Sequence, residues 1–576
     1  MYEFEEQRWR LYALLSVIAV FILVLASKLF YIQVIQHDYY SSFAKKEHWR
    51  KEIIPARRGT IFDINGHELA TSVTFESLYA ITNEITNPEK IAKVLAPIIN
   101  EPEQELIAKL SNRQSAPVLL KAYLPQEQAD AIRKLGLWDV DLQPEFKRMY
   151  PEGSIAAQTI GLVGRDSQGL TGIEAAFDAD LAGKPGSLLA ERDTGGDEIA
   201  LSATQYTQPH DGADVVLTID RYVQRVAEQE LDEAVTQHKA DGGTIIVMDP
   251  KTGAILAIAN RPTFDFNDPN LFNPDKTKLY KNPAISDAWE PGSIFKILTM
   301  AAGLDSKAVT PDFAFNNTGS FAYAGGVVRN VITRVGPETM TQVLQRSSNI
   351  GAAFVSTKLG ADKFYSYISA FGIGQPTGIE IPGEGAGILR TPKTGNWYPF
   401  DLATNAFGQG VSVTPLQMVT AVSAAINGGT LMKPYVVKEV VSKDRRRVYN
   451  PTIVRQIISP ETSRTLVDML VSVVEVVEGG QVRLAKVPGY LVGGKTGTAQ
   501  VPENGGYANS DTIASFIGFG PSDDPRFVVL VKIDSPKDTP WGETAAAPVF
   551  KNVAEQLFAY MRIPPTTALR ASAEAR

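Results

Sequence analysis

Apolar and polar positions divide the chain into three regions of different texture. Residues 11–27 are uncharged, LYALLSVIAVFILVLAS, and beyond Lys28 the apolar run resumes and ends near Ile35. Residues 36–213 mix short strand-like runs with polar helical stretches. From residue 214 onward, apolar runs of strand length alternate with helical segments that carry start and stop signals. The pattern predicts a membrane segment followed by two regions that fold differently.

The first apolar segment, residues 11–35, predicts one transmembrane helix, because a bilayer core needs about 20 helical residues. The Lys28 ammonium can reach the interface by snorkelling. A signal peptide cleaved after Ala26 is the alternative, but the apolar run continues past this point and favours a retained anchor. We expect residues 1–10 to be a cytoplasmic tail and the bulk of the chain to lie outside, although more cations follow the span than precede it.

The last region, residues 214–562, has the pattern of an α+β domain with an antiparallel sheet. Residues 242–260, GGTIIVMDPKTGAILAIAN, predict two strands around a tight turn. Thr414, Pro415 and Gln417 combine an N-cap, a proline at the first helical position and a capping-box glutamine. The pattern also predicts strands at 491–501, 512–520 and 527–533, and helices at 221–238, 339–346 and 548–561. Two further helices are predicted: one begins after Thr414 and stops at the glycine pair 428–429, and the other begins after Ser459 and stops at the glycine pair 479–480.

The region before it, residues 36–213, is expected to be non-catalytic, a spacer or docking domain. Residues 56–70, ARRGTIFDINGHELA, predict a strand, a turn at Asn65-Gly66 and a second strand. The tail, residues 563–576, is expected to be disordered.

Composition limits the chemistry of the last region. The chain has 576 residues and a net charge of −8, and it lacks a basic aromatic motif, so nothing indicates nucleic-acid binding. It has no cysteine, and none of its five histidines lies after His238. A Ser-His-Asp triad, a Cys-His dyad and a histidine-ligated zinc are therefore excluded from the residues after 238. If this region performs nucleophilic chemistry, lysine is the base that remains.

A Ser-x-x-Lys string supplies such a pair at Ser293 and Lys296. On a helix this spacing places both side chains on one face, one turn apart. The preceding Glu290-Pro-Gly292 predicts a helix N-terminus near Ser293, where the helix dipole favours an alkoxide and a neutral amine. The same string occurs at Ser42–Lys45, which we interpret as a solvated helix face.

Lys-Thr-Gly occurs three times, so this string alone says little. Lys251 lies in the turn of the predicted hairpin and Lys393 in a loop, whereas Lys495 lies inside a run of strand character, LVGGKTGTAQV. We interpret the glycines of that run as thinning the strand so that a substrate backbone can approach. Lys495 is the candidate that we keep.

Ser347-Ser-Asn349 follows the helix predicted at 339–346. Polar triplets at helix ends are usually caps. The order of the three motifs is more informative than any one of them. Ser347 follows Ser293 by 54 residues, and Lys495 follows Ser347 by 148 residues, all within one α+β region.

Taken together, these strings resemble the penicillin-binding transpeptidase domain of the serine penicillin-recognising enzymes, which has the serine β-lactamase-like fold. The supporting strings are EPGSIFKI (290–297), SSNIGAA (347–353), FGQGVSVTPLQM (407–418), GGKTGTAQ (493–500) and AAAPVF (545–550). Upstream, RRGTIFDINGHELA (57–70) and GLTGIEAAFDADLAG (169–183) resemble the elongated mixed α/β pedestal, a dimerisation-like domain, of class B, monofunctional penicillin-binding proteins.

The resemblance implies a mechanism and a set of roles. Ser293 would attack the penultimate D-Ala of a peptidoglycan stem ending in D-Ala-D-Ala, with Lys296 as general base, and an amine from a second stem would then form the cross-link. Ser347 and Asn349 would relay protons and orient the substrate. The terminal carboxylate would be bound by Lys495, Thr496, Gly497 and Thr498. β-Lactams would acylate Ser293, and neither a metal nor a cofactor is needed.

Several readings of the role remain open at this point. EPGSIFKI and the chain length look more like the division (septal) type than the elongation type, with a membrane-bound glycosyltransferase and other division proteins as implied partners. A D,D-carboxypeptidase or β-lactamase on the same fold is a second possibility, although the anchor and pedestal argue against a β-lactamase. A catalytically silent cell-wall scaffold is a third, against which the complete set of site residues argues.

Overall fold

The structure is a computed structural model of the chain, and it describes residues 3–40, 49–83, 85–114, 116–191, 205–476, 483–503 and 506–566. The second Ser-x-x-Lys string, Ser42–Lys45, and the predicted helix stop at 479–480 lie outside these residues. By contacts the chain divides into two compact units, residues 1–57 with 183–211, and residues 58–182 with 212–576.

The strands are β1 Trp49–Ile54, β2 Ile61–Phe62, β3 Glu68–Ala80, β4 Val118–Leu124, β5 Val140–Met149, β6 Gly186–Glu191, β7 Gln205–Thr207, β8 Asp214–Leu217, β9 Gly242–Met248, β10 Ile255–Arg261, β11 Ala314–Asn317, β12 Phe321–Tyr323, β13 Gly326–Val328, β14 Gly336–Thr339, β15 Thr430–Met432, β16 Val437–Val441, β17 Arg446–Val448, β18 Ile453–Gln456, β19 Gly493–Glu503, β20 Gly506–Gly520 and β21 Phe527–Asp534.

The α-helices are α1 Glu3–Phe30, α2 Pro88–Ile99, α3 Glu103–Ser111, α4 Gln126–Leu135, α5 Ala157–Ile160, α6 Gly172–Ala176, α7 Asp178–Leu181, α8 Arg221–Gln237, α9 Pro283–Ser286, α10 Lys296–Asp305, α11 Met340–Gln345, α12 Asn349–Leu359, α13 Ala361–Ala370, α14 Asp401–Asn405, α15 Pro415–Ile426, α16 Pro460–Glu475, α17 Gly542–Ala545 and α18 Ala547–Tyr560. A π-helical turn spans Tyr31–Ile35, and 3₁₀ helices span Pro274–Tyr280 and Gly292–Phe295.

The first unit contains the N-terminal helix and a small sheet. By length and composition, residues Arg8–Ile35 form a helix that can cross a membrane. Its apolar side chains are exposed, as those of a lipid-facing helix would be. The sheet is antiparallel with the order β1-β6-β7.

A sheet in the second unit joins strands from both predicted domains. Its order is β17-β16-β8-β2-β3-β4, and β5 also pairs with β3. Strand β8, which begins the predicted catalytic region, is parallel to β2 and antiparallel to β16. The chain thus passes from one predicted domain to the other within one sheet, and the boundary at 213/214 stays a prediction.

The two upstream strings that resemble the pedestal domain, residues 57–70 and 169–183, each contribute a side chain to a buried ion cluster. The Nε atoms of Arg58 and Arg148 donate to opposite oxygens of Glu174, each at 2.7 Å. Arg58 and Glu174 are 3% and 0% exposed, so the guanidinium groups supply the counter-charge that a buried carboxylate requires. This cluster ties residues 57–70 to residues 169–183.

A second large sheet of this unit is antiparallel and has five strands in the order β10-β9-β21-β20-β19. On β21, Val528 and Leu530 face one apolar cluster, whereas Val529 and Val531 face the other. Helices α8 and α18 cover the second face, and α15 lies on the first. Because both faces are buried, the strand is a continuous apolar run rather than an alternating one. The predicted α+β architecture is confirmed.

Most local signals in this region were interpreted correctly. Strands β9 and β10 form the predicted hairpin. Both halves of the predicted capping box are present at Thr414 and Gln417, and α15 begins at Pro415. Residues 563–566 of the predicted tail are described, and the Tyr490 hydroxyl donates to the Ile563 carbonyl at 2.9 Å.

Candidate active site

Ser293 lies on the 3₁₀ turn that leads into α10, and Lys296 is the first residue of that helix. The predicted helix start is therefore confirmed, and the Lys296 Nζ lies 2.9 Å from the Ser293 Oγ. The turn begins at Gly292, whose φ is +54°. A Cβ atom there would lie 2.8 Å from the Thr498 carbonyl oxygen, so only glycine lets strand β19 lie this close to the nucleophile.

The contacts of Lys296 hold its amine beside the serine, and a neutral amine can make all of them. Its Nζ lies 2.7 Å from the Ser347 carbonyl oxygen and 2.7 Å from the Asn349 Oδ1, and both atoms can only accept. The Asn349 amide is oriented by its Nδ2, which donates to the Arg329 carbonyl at 3.2 Å. Two acceptors use the two hydrogens of an NH₂ group, which leaves its lone pair for the Ser293 hydroxyl.

Electrostatics favour the same state. Lys296 is 1% exposed. Burial lowers the pKa of its amine well below that of a solvated lysine, the charge of Lys495 lowers this pKa further, and the Glu338 carboxylate opposes both. A lowered pKa favours the neutral amine, which is the form that can accept a proton.

The polar triplet combines a cap with two groups that point at the lysine. Ser348 is the N-cap of α12, and its Oγ accepts from the Gly351 N–H at 3.1 Å. Ser347 has a φ of +56°, in the left-handed region, and this turn directs its carbonyl toward Lys296. The expectation that such triplets are caps thus holds for the middle residue, while Ser347 and Asn349 contact Lys296.

Lys495 approaches from strand β19 and completes the cluster. Its Nζ lies 3.0 Å from the Ser347 Oγ, which is itself 3.3 Å from the Lys296 Nζ, so one hydroxyl lies between the two amines. Lys495 is 1% exposed. Burial and then the charge of Arg483 lower the pKa of Lys495 to about 7, with Glu543 opposing them.

The rest of the Lys-Thr-Gly-Thr run is held by the same strand. The Thr496 carbonyl and hydroxyl oxygens lie 3.1 and 3.2 Å from the Lys495 Nζ. The Thr498 Oγ1 accepts from the Gly542 N–H at 3.2 Å. Gly497 packs against the nucleophile turn, because a Cβ there would lie 3.2 Å from the Pro291 carbonyl oxygen.

The interpretation of Gly493 and Gly494 as room for a substrate was wrong. Cβ atoms at these positions would lie 2.3 and 2.5 Å from the rings of Phe519 and Phe516 on the neighbouring strand. The two glycines therefore make room for side chains of the protein itself.

The other two Lys-Thr-Gly strings lie where the sequence predicted. Lys251 is in the β9–β10 turn and forms an exposed ion pair with Asp524. Lys393 is in a surface loop, where the Thr391 and Thr394 side chains and backbone bond to each other. Neither lysine contacts Ser293 or Lys296 in the described part of the chain.

Sequence reasoning missed two side chains behind the triplet, the buried Glu338 and the half-buried Asn330. Glu338 directly precedes Thr339, the N-cap of α11, and a glutamate before a cap carries no signal of its own. Asn330 lies in a connection between two short strands, where asparagine is common.

Fold and site together are those of a serine acyltransferase with a buried lysine beside the serine. The profile of the family described as "Penicillin binding protein transpeptidase domain" matches residues 243–555, and that described as "Penicillin-binding Protein dimerisation domain" matches residues 53–217. The chain therefore belongs to the class B penicillin-binding proteins, the peptidoglycan transpeptidases, which confirms the family and fold predicted from the sequence.

Relatives match over nearly the whole chain. Stage V sporulation protein D of Bacillus subtilis is 38% identical over 96% of this chain and 86% of that protein. Peptidoglycan D,D-transpeptidase FtsI of Escherichia coli is 31% identical over 97% of this chain and 92% of that protein. Among solved structures, penicillin binding protein 3 of Mycobacterium tuberculosis complexed with ampicillin matches with a TM-score of 0.70 at 29% identity, over 89% of this chain and 97% of that chain.

Proposed function

We propose that the protein cross-links peptidoglycan stem peptides through an acyl-enzyme on Ser293. The Ser293 Oγ attacks the penultimate D-Ala carbonyl, its proton passes to Lys296, and the amide bond to the terminal D-Ala breaks as that amine takes a proton. An amine from a second stem then attacks the ester, which forms the new amide and returns a hydrogen to Oγ. The observation that supports this most is the buried Lys296 amine, whose Nζ lies 2.9 Å from the Ser293 Oγ.

We assign roles to the remaining site residues from the groups of the substrate and of the protein with which they can interact. Ser347 lies between the two amines, which suits a proton relay to the leaving group, and Asn349 orients the Lys296 amine and the substrate amide. Lys495, Thr496, Gly497 and Thr498 bind the terminal carboxylate. The backbone N–H groups of Ser293 and Thr498 form the oxyanion hole, in which one donor is commonly worth about 3 kcal/mol.

The reaction is tested by the products formed from a donor peptide that ends in D-Ala-D-Ala. With an amine acceptor present, the full-length protein in detergent should release D-Ala and form an amide-linked product in equal amounts. Mass spectrometry after incubation with penicillin should place the adduct on the peptide that contains Ser293. Release of D-Ala without transfer would identify a carboxypeptidase instead, and rapid hydrolysis of the β-lactam would identify a β-lactamase.

Lys495 provides a prediction with two internal controls. Lys495→Met should lower kcat/KM for acylation by a substrate with a carboxylate about 100-fold, since a buried charge partner is lost. In the wild-type protein kcat/KM should fall above about pH 7, because Lys495 loses its proton there and no longer pairs with the carboxylate. This descending limb should be absent in Lys495→Met.

The other two Lys-Thr-Gly strings supply the controls. Lys251→Met and Lys393→Met should retain the wild-type rates of acylation, and a comparable loss in either variant would reject the assignment of Lys495.

We further propose that the N-terminus is cytoplasmic, that the catalytic region is extracytoplasmic, and that the enzyme acts in septal wall synthesis with a membrane-bound glycosyltransferase and other division proteins. The similarity to FtsI over 97% of the chain and the EPGSIFKI string support the septal role. A role in spore formation is the alternative, because the relative that is 38% identical is named a sporulation protein. A fluorescent fusion should appear at midcell of growing cells, whereas a lateral-wall signal or one confined to sporulating cells would reject the septal role.

A further inference from the structure

A buried carboxylate lies directly behind the triplet that contacts the catalytic lysine. Glu338, on β14, is 2% exposed. Its Oε2 accepts from the Ser348 Oγ at 2.9 Å and from the Asn317 Nδ2 at 3.1 Å. Ser348 and Asn317 are themselves 1% and 2% exposed, so the carboxylate is shielded from water by the residues that bind it.

The hydrogen-bond directions fit an ionised carboxylate. The Ser348 Oγ accepts from the Gly351 N–H at 3.1 Å and from the Asn330 Nδ2 at 3.2 Å, which leaves its own hydrogen for Glu338. The orientation of Asn330 is set by its Oδ1, which accepts from the Ile350 N–H at 3.0 Å. One oxygen of Glu338 therefore accepts hydrogen bonds from two donors, the Ser348 hydroxyl and the Asn317 side-chain amide.

This carboxylate lacks the partner that a buried charge usually has. Within the described part of the chain, Glu338 forms no ion pair at salt-bridge distance with a lysine or arginine. Two charges act on the Lys296 pKa in opposite directions: Lys495, on β19, lowers it, and Glu338, on β14, raises it. The negative charge of Glu338 thus favours a proton on Lys296.

We propose that Glu338 is a positioning residue for acylation: through Ser348 it holds the Ser347–Asn349 turn against Lys296, and its charge balances the proton that Lys296 takes from Ser293. The inference rests on the proposed role of Lys296 as base. The attraction between the Glu338 carboxylate and Lys296 is gained only as Lys296 takes up the proton. It therefore stabilises the transition state of acylation more than the ground state.

The test is the pH dependence of acylation in Glu338→Gln, measured with fluorescent penicillin on the full-length protein in detergent. Glutamine keeps the size and one acceptor oxygen but removes the charge. Without this charge Lys296 holds its proton less tightly, so the midpoint of the ascending limb should move to lower pH by about one unit. The plateau rate should fall about tenfold, because the amine is then a weaker base and its protonated form is less stable.

Two further variants separate charge from placement. Ser348→Ala keeps the charge and removes the link to the turn, so the rate should fall about tenfold while the midpoint does not move to lower pH. Glu230→Gln is the matched control, since Glu230 is also a buried glutamate, 7% exposed, and accepts from the Asn552 and Gln556 side chains. Its rate and midpoint should equal those of the wild type.

A wild-type midpoint in folded Glu338→Gln would overturn the charge role, and a wild-type rate in Ser348→Ala would overturn the positioning role. If Glu338→Gln shows no cooperative thermal unfolding, the Ser348→Ala rate decides. Failure of the proposed function is distinguishable, because the wild-type adduct would then lie elsewhere than on Ser293, or the wild-type rate would show no ascending limb.

Discussion

Replacing Ser293 by alanine should abolish covalent labelling by penicillin. The Ser293 Oγ is a hydroxyl oxygen 2.9 Å from the buried Lys296 Nζ, and alanine removes it without adding volume. Labelling is read as fluorescence that survives denaturing electrophoresis. The fold should be unaffected, since Ser293 contributes no N-cap hydrogen bond to the helix that follows it.

Ser306→Ala is the matched control for this variant. Ser306 lies at the other end of the same helix, where its Oγ donates to the Gly303 carbonyl at 3.2 Å. It should be labelled at the wild-type rate. Persistent labelling of Ser293→Ala would reject the site, and growth of cells that carry only Ser293→Ala would show that catalysis is not the essential role of the protein.

Lys296→Met should slow acylation by about 10²–10⁴-fold, the range in which general bases contribute. Methionine fills the buried space with an apolar chain, so the loss reports the amine rather than a cavity. In the wild type the rate should fall as the pH falls through the lowered pKa of Lys296, because the amine then takes a proton from solvent and can no longer accept one from Ser293. Lys296→Met should lack this limb.

Lys358→Met controls for the loss of a lysine in the same part of the fold. Lys358 lies on the last turn of α12, the helix that begins at Asn349, and its Nζ lies 4.9 Å from the centre of the Phe313 ring. Its variant should keep both the wild-type rate and the ascending limb. A Lys296→Met protein that acylates at the wild-type rate would show that another group is the base.

Sequence signals predicted helices and strands correctly where the residues that form the signal lie close together in the chain. A capping box needs only Thr414 and Gln417, and both of its hydrogen bonds form. The hairpin needs only a turn between two apolar runs, and β9 pairs with β10 as expected. Gly493 and Gly494 show the limit, because the rings that require them to lack a Cβ belong to Phe519 and Phe516, which are about two dozen residues away in the chain.

The amino-acid sequence by itself determined which chemical groups were available. With no cysteine and no histidine after residue 238, lysine was the obvious base for a nucleophilic serine, and the order of the three motifs indicated the family. The strand character around Lys495 also favoured this lysine among the three Lys-Thr-Gly strings. The tertiary structure alone decided that the Ser347 hydroxyl lies between the Lys296 and Lys495 amines and that Glu338 lies behind the triplet. It also lowers the pKa of Lys296, because a pKa depends on burial and on charges brought close by folding, and neither is local in the sequence.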